Sequence, residues 1–176
     1  MHRALGTLLV IALSFPVLSA QTSSDIHISA DTGSNIYAAS AFAHGLRHGY
    51  EEGFHAADRD LQLSAFRLDD IAVPRSSKKV IGYRSEFGSK ESFHKGFAQG
   101  YRLGYSDSVK GIAFRMTPPE VTVAARPDGD FDRGVQYGYL SPGTACSGSP
   151  TFCSGVQAGR SIALKSVAAT QVASVK

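Results

Sequence analysis

Two stretches of the chain sort apolar and polar residues onto opposite sides of a helix. At 100° per residue, Phe42, Gly45, Leu46, Gly49, Tyr50, Gly53, Phe54 and Ala57 fall in one half. His44, Arg47, His48, Glu51, Glu52, His55, Asp58 and Arg59 fall in the other. The second stretch repeats the division. Phe93, Gly96, Phe97, Gly100, Tyr101, Gly104, Tyr105, Ser108 and Ile112 share a face, with Lys95, Gln99, Arg102, Ser106 and Lys110 opposite. His94 and Asp107 do not fit it. A third stretch, FDRGVQYGY (131–139), carries the same frame, F-x-x-G-x-x-x-G-Y, through Gly134 and Gly138. Copies begin at Phe42, Phe93 and Phe131, a spacing too irregular for a solenoid. Farther on, GVQAGRSIAL (155–164) echoes GVQYG (134–138).

Each glycine in a helix interior costs about 1 kcal/mol relative to alanine. Glycines spaced by four form a groove, and a groove lets a second helix backbone approach closely. Burial of the flanking Phe and Tyr rings, roughly 1.5–3 kcal/mol each, offsets the propensity loss. The charged faces place this packing in water rather than in lipid. The pattern therefore predicts a mainly α protein, a helical hairpin or small bundle with GxxxG packing. Two long helices are expected to lie antiparallel, meeting along Gly45, Gly49, Gly53 and Gly96, Gly100, Gly104. Shorter C-terminal helices, the first carrying Gly134 and Gly138, pack on them.

Caps and breakers set the expected boundaries. One helix runs from about Asn35 to Leu68, capped by Ser34 or Asp31, and a second from about Lys90 to Arg115, capped by Ser89. Residues 72–88 read as a linker with Pro74 and a basic patch of Arg75, Lys78 and Lys79. Pro118-Pro119 closes the second helix, and VTVAA (121–125) reads as a short extended segment. A third helix runs from after Asp128 or Asp130 to about Leu140, where Ser141-Pro142-Gly143 ends it. A last helix covers about Ser154 to Thr170. The whole forms a single helical domain over 35–172, preceded by a disordered segment at 21–34.

Residues 1–20 are set apart from that domain. His2 and Arg3 precede an apolar run from Ala4 to Phe15, then Pro16 and the small-residue end VLSA. This is the layout of a signal peptide cleaved near Ala20. The other reading is an uncleaved anchor, but a run of about twelve residues falls short of the roughly 20 that span a bilayer. A secreted or periplasmic protein without a membrane span after cleavage is expected. The formal net charge of +3 is too small for the basic field of a nucleic-acid binder, so no nucleic-acid partner is expected. In an oxidising compartment Cys146 and Cys153 read as a structural disulfide, worth about 2.5 kcal/mol through closure of its short loop. Free thiols are the alternative, although a redox pair more naturally has C-x-x-C spacing.

Candidate chemistry is sparse. His44, His48, Glu51 and His55 lie within a narrow sector of one helix face. Histidines at i and i+4 can share a metal, which a group one turn on completes. The competing reading is a solvated polar face. PDGDFDRG places Asp128, Asp130 and Asp132 like the acids of a calcium loop, but Arg133 and Tyr139 stand where that loop needs glycine and glutamate. Acids at a helix N-terminus are the simpler reading. No G-x-S-x-G, H-E-x-x-H, P-loop or dinucleotide fingerprint occurs, so neither catalysis nor a cofactor is expected.

GYEEGFHAADRD (49–60), GYRSEFG (82–88) and FAQGYRLGYSD (97–107) resemble a group of uncharacterised secreted bacterial proteins of acidobacterial type with G-Y-x-x-G repeats. The resemblance covers about residues 40–110 and implies a mainly helical secreted protein. The glycine spacing at Gly45, Gly49, Gly53 and Gly96, Gly100, Gly104 is also similar to that of the eukaryotic Yae1/Lto1 adaptors, helical proteins that deliver an iron–sulfur cluster to a client. That similarity implies a glycine-groove helix pair. The expected function is non-catalytic protein–protein interaction or self-association; the alternative is a metal-binding module built on the histidine face.

Overall fold

The computed structural model describes residues 36–74, 82–115 and 129–173, with side chains as far as residue 166. The regular elements among them are helical: α1 (Ile36–Ala39), α2 (Ala41–Gln62), a 3-10 turn (Ser85–Phe87), α3 (Lys90–Val109), α4 (Gly129–Leu140) and α5 (Pro150–Ala173). The protein is mainly α, as its periodicity predicts. The signal sequence, the 21–34 segment, the caps Ser34 and Asp31, Pro118-Pro119 and VTVAA lie outside the described residues, as do 75–81 of the linker. Among the described residues no helix is long and apolar enough to cross a membrane.

Local chemistry moves several expected ends. Ser40 is extended and interrupts the first helix; its Oγ accepts the Ala43 N–H at 3.1 Å, so α2 begins there. Ser89 caps α3 as expected, accepting from Ser92 N–H at 3.0 Å. The two long helices end earlier than the apolar pattern suggests, both in Schellman motifs. In α2 the N–H groups of Ser64 and Ala65 bond the carbonyls of Leu61 and Asp60. In α3 those of Gly111 and Ile112 bond Ser108 and Asp107. At the other end of the chain, Pro150 sits at the first position of α5 and Ser149 Oγ caps Phe152 N–H, so this helix starts ahead of Ser154.

The glycines settle how the long helices meet. A Cβ on Gly45, Gly49 or Gly53 would overlap the carbonyl of Phe93, Phe97 or Tyr101, respectively. A Cβ on Gly96, Gly100 or Gly104 would overlap the carbonyl of Phe42, Leu46 or Tyr50. Both series ascend together, so α2 and α3 are parallel, which corrects the expected antiparallel hairpin. A glycine groove meshes in either sense. The direction is a matter of connection, since the first turns of α3 lie beside the first turns of α2. The two copies therefore meet in register, related by a quasi-twofold along the pair. Each glycine directs its Cα–H at a carbonyl oxygen of the other helix, a weak attractive contact.

The C-terminal helices repeat this arrangement. Gly134 and Gly138 on α4 lie against Phe152 and Val156; Gly155 and Gly159 on α5 lie against Phe131 and Val135. A Cβ on Gly134 would come within 3.1 Å of Gly155 Cα. FCSGVQAG (152–159) is thus a fourth copy, parallel to the third. The connection between them contains Ser141-Pro142-Gly143 and the Cys146–Cys153 disulfide, which ties it to the first turns of α5. The two pairs share a core in which Ile36, Tyr37, Phe42, Leu46 and Tyr50 meet Phe131, Val135, Ala158 and Ile162. On the opposite flank Ile71 and Val73 pack on Tyr101 and Tyr105.

Candidate binding surfaces

The glycine grooves are filled from within the chain, so other surfaces carry any contact to a partner. The histidine face is the first. His44 is only 1% exposed, because Tyr37 of α1, Phe87 of the 3-10 turn and Phe93 of α3 cover the part of α2 that the helical pattern assigns to solvent. Its Nδ1 lies 2.8 Å from the Tyr37 carbonyl, which only accepts, so Nδ1–H donates. With both rings neutral, His48 Nε2–H then donates to His44 Nε2 across 2.9 Å. Gly82, at φ 85°, leaves room for the His48 ring. Glu51 is half-buried farther along the helix, and His55 is exposed with Phe54 edge-on to its ring. The structure thus brings together two of the four candidate ligands. Among the described residues no group of three or more His, Cys, Asp or Glu is placed to hold a metal.

The buried carboxylates have structural partners. Asp107, out of place on the apolar face of its own helix, is 3% exposed and receives Arg115 Nε at 2.7 Å and Nη2 at 3.1 Å, together with Tyr50 Oη at 2.9 Å. Arg115 also donates Nη1 to the Ser166 carbonyl on α5. Burial, reinforced by the Asp107 charge and hydrogen bond, pushes the Tyr50 hydroxyl up to about 12. Asp132 of α4 accepts Ser40 Oγ at 2.6 Å and the Phe42 N–H at 2.9 Å, capping α2 from another element. Of the acids that suggest a calcium loop, Asp132 is therefore a cap, Asp130 pairs with Arg133, and Asp128 lies outside the described residues.

Two outer features remain. A run at the end of α2 exposes four large apolar side chains: Leu61, Leu63 at 76%, Phe66 at 48% and Leu68. The second feature is an open cleft of about 1010 Å³ between the first turns of α3 and the outer stripe of α4. Lys95 and Glu91, paired at 2.8 Å, line one wall, and Arg133 and Asp130 the other. Tyr137, Leu140 and Phe152 form an apolar end, with the Tyr137 and Phe152 rings 5.8 Å apart. Ser92, 7% exposed, lies on the α3 wall, and its Oγ has no hydrogen-bond partner. Neither feature is legible in the periodicity, since each is assembled from segments that are separate in the chain or lie beyond a helix end. No protein-family model, curated protein or solved structure matches the chain.

Proposed function

We propose that this is a non-catalytic secreted or periplasmic protein, acting through protein–protein contact or self-association, with two glycine-zipped helix pairs as its rigid frame. The observation that carries the reading is the apolar run Leu61, Leu63, Phe66 and Leu68, four large side chains held at a surface that nothing among the described residues covers. Large apolar side chains left exposed this close together in the chain are the raw material of contact sites on soluble proteins. The buried carboxylates support a non-catalytic role, since Asp107 and Asp132 are bound to structural partners. The Cys146–Cys153 disulfide is compatible with an oxidising compartment. With the grooves filled internally, self-association through the glycine motif loses its surface, and the apolar run takes its place.

Light scattering on a sizing column tests this with the oxidised protein. A dimer or larger species that reverts to monomer in Leu63→Ser/Phe66→Ser supports self-association through the run. A monomer directs the reading to a different protein as partner. An assembly unchanged by the double substitution removes the run from the account.

A further inference from the structure

We propose that the cleft between α3 and α4 is a binding site for a neutral oligosaccharide of about two to three rings. The volume, about 1010 Å³, lies at the upper end of small-molecule sites, which suits an extended ligand better than a single ring. Each wall carries one carboxylate and one cation a turn apart, Glu91 with Lys95 and Asp130 with Arg133. The charges cancel within each pair, so the walls select against an ion of either sign. Their hydrogen-bonding capacity is not used up, because an ammonium has three donors and a carboxylate about four acceptor sites. Adjacent hydroxyls on a sugar ring both donate and accept, so they can engage a carboxylate and a cation held side by side.

The remaining lining fits the same chemistry. Gln136 offers an amide that both donates and accepts, and Ser92 lies on the α3 wall with its hydroxyl turned away from solvent. Asp132 also lines the cleft, but it is buried and its Oδ1 is turned to Ser40 and Phe42 at the N-terminus of α2, so it sits behind the wall rather than on it. At the other end the exposed Tyr137 and the half-buried Phe152 supply aromatic lining for the C–H face of a pyranose. The walls are stiff, because α3 is locked to α2 and α4 to α5 through their glycines. A ligand here bridges the two pairs and stabilises their docking.

The test is an amide-shift titration of the purified oxidised protein with three neutral trisaccharides: maltotriose, cellotriose and triacetylchitotriose. The expected result is a saturable shift of Ser92, Gln136 and Tyr137 by at least one of them, with a raised melting temperature. Tyr137→Ala should weaken binding tenfold or more, and Leu63→Ser should leave it unchanged, which separates this site from the apolar run. Absence of any shift at millimolar sugar overturns the proposal. So does a shift that Tyr137→Ala leaves intact, or an equal response to glutamate or spermidine, which would make the cleft an ion site.

Discussion

Ser64 holds φ at 53°, a left-handed conformation that a non-glycine residue adopts at a cost of about 1 kcal/mol. The equivalent position after α3 is Gly111, at φ 69°. Ser64→Gly should therefore raise stability by about 0.5–1 kcal/mol, and Gly111→Ser should lower it by a similar amount, as read from urea midpoints. Equal midpoints for Ser64→Gly and the parent protein would show that Ser64 gains a compensating contact. A second residue-scale expectation concerns the tyrosines. Burial pushes Tyr37 and Tyr50 up to about 12 from an ordinary value near 10, and raises Tyr101, Tyr105 and Tyr139 as well. A raised acid holds its proton more tightly in the folded state. Its contribution is fully present below about pH 10 and is lost as pH rises through about 12. Unfolding midpoints should fall steadily above pH 10, with most tyrosinate absorbance appearing only as the chain unfolds. Full ionisation near pH 10 with the fold intact would contradict the burial. Little of this was legible in the sequence. A helical wheel shows a helix its own two faces, so it could not show that Tyr37, Phe87 and Phe93 would bury His44, or that Arg115 would neutralise Asp107 once the chain turned at Gly111.

At the scale of elements, the glycine spacing was legible because only a helix backbone explains small residues at every fourth position on a ring-lined face. The direction of pairing was not, since the same groove meshes in both senses and the connection decides. The fourth copy is half visible: GVQAG echoes GVQYG, but a helix expected to start at about Ser154 leaves out Phe152, the first residue of the frame that places Gly155 and Gly159 in a groove. The crossings give a sharp test. A Cβ on Gly100 meets the Leu46 carbonyl and the Tyr50 amide, backbone atoms that cannot rotate aside. Gly100→Ala should separate the helices and cost about 2 kcal/mol or more, even after the roughly 1 kcal/mol gain in helix propensity. Gly129 at the start of α4 faces open space, so Gly129→Ala should be neutral or slightly stabilising. Melting temperatures of the two variants, measured side by side, check the pair; similar values would mean that the α2–α3 contact is looser than the backbone overlap requires.

Among the described residues, two parallel helix pairs are held together by a shared apolar core and a small set of polar links. Asp132 is the link with the largest reach, because it closes the N-terminus of α2 from α4 and so ties the start of one pair to the start of the other. Ser40 Oγ relays the arrangement, donating to Asp132 while accepting from Ala43 N–H. Removing the carboxylate with Asp132→Ala strands the buried Phe42 N–H and the Ser40 hydroxyl. The expected loss is about 2–3 kcal/mol. Asp132→Asn keeps an acceptor of the same shape and should lose about half as much, the charge-assisted part of the two bonds. If the three groups act as one cap, Ser40→Ala should cost much less in the Asp132→Ala background than in the parent, with a coupling of about 1 kcal/mol or more. Urea unfolding of the four proteins measures it. Additive losses would mean that Ser40 caps α2 unaided, and that the pairs are joined by their apolar core alone. Coupled losses would make the acid that sequence spacing offered as a calcium ligand the point where the two halves of the protein are fastened.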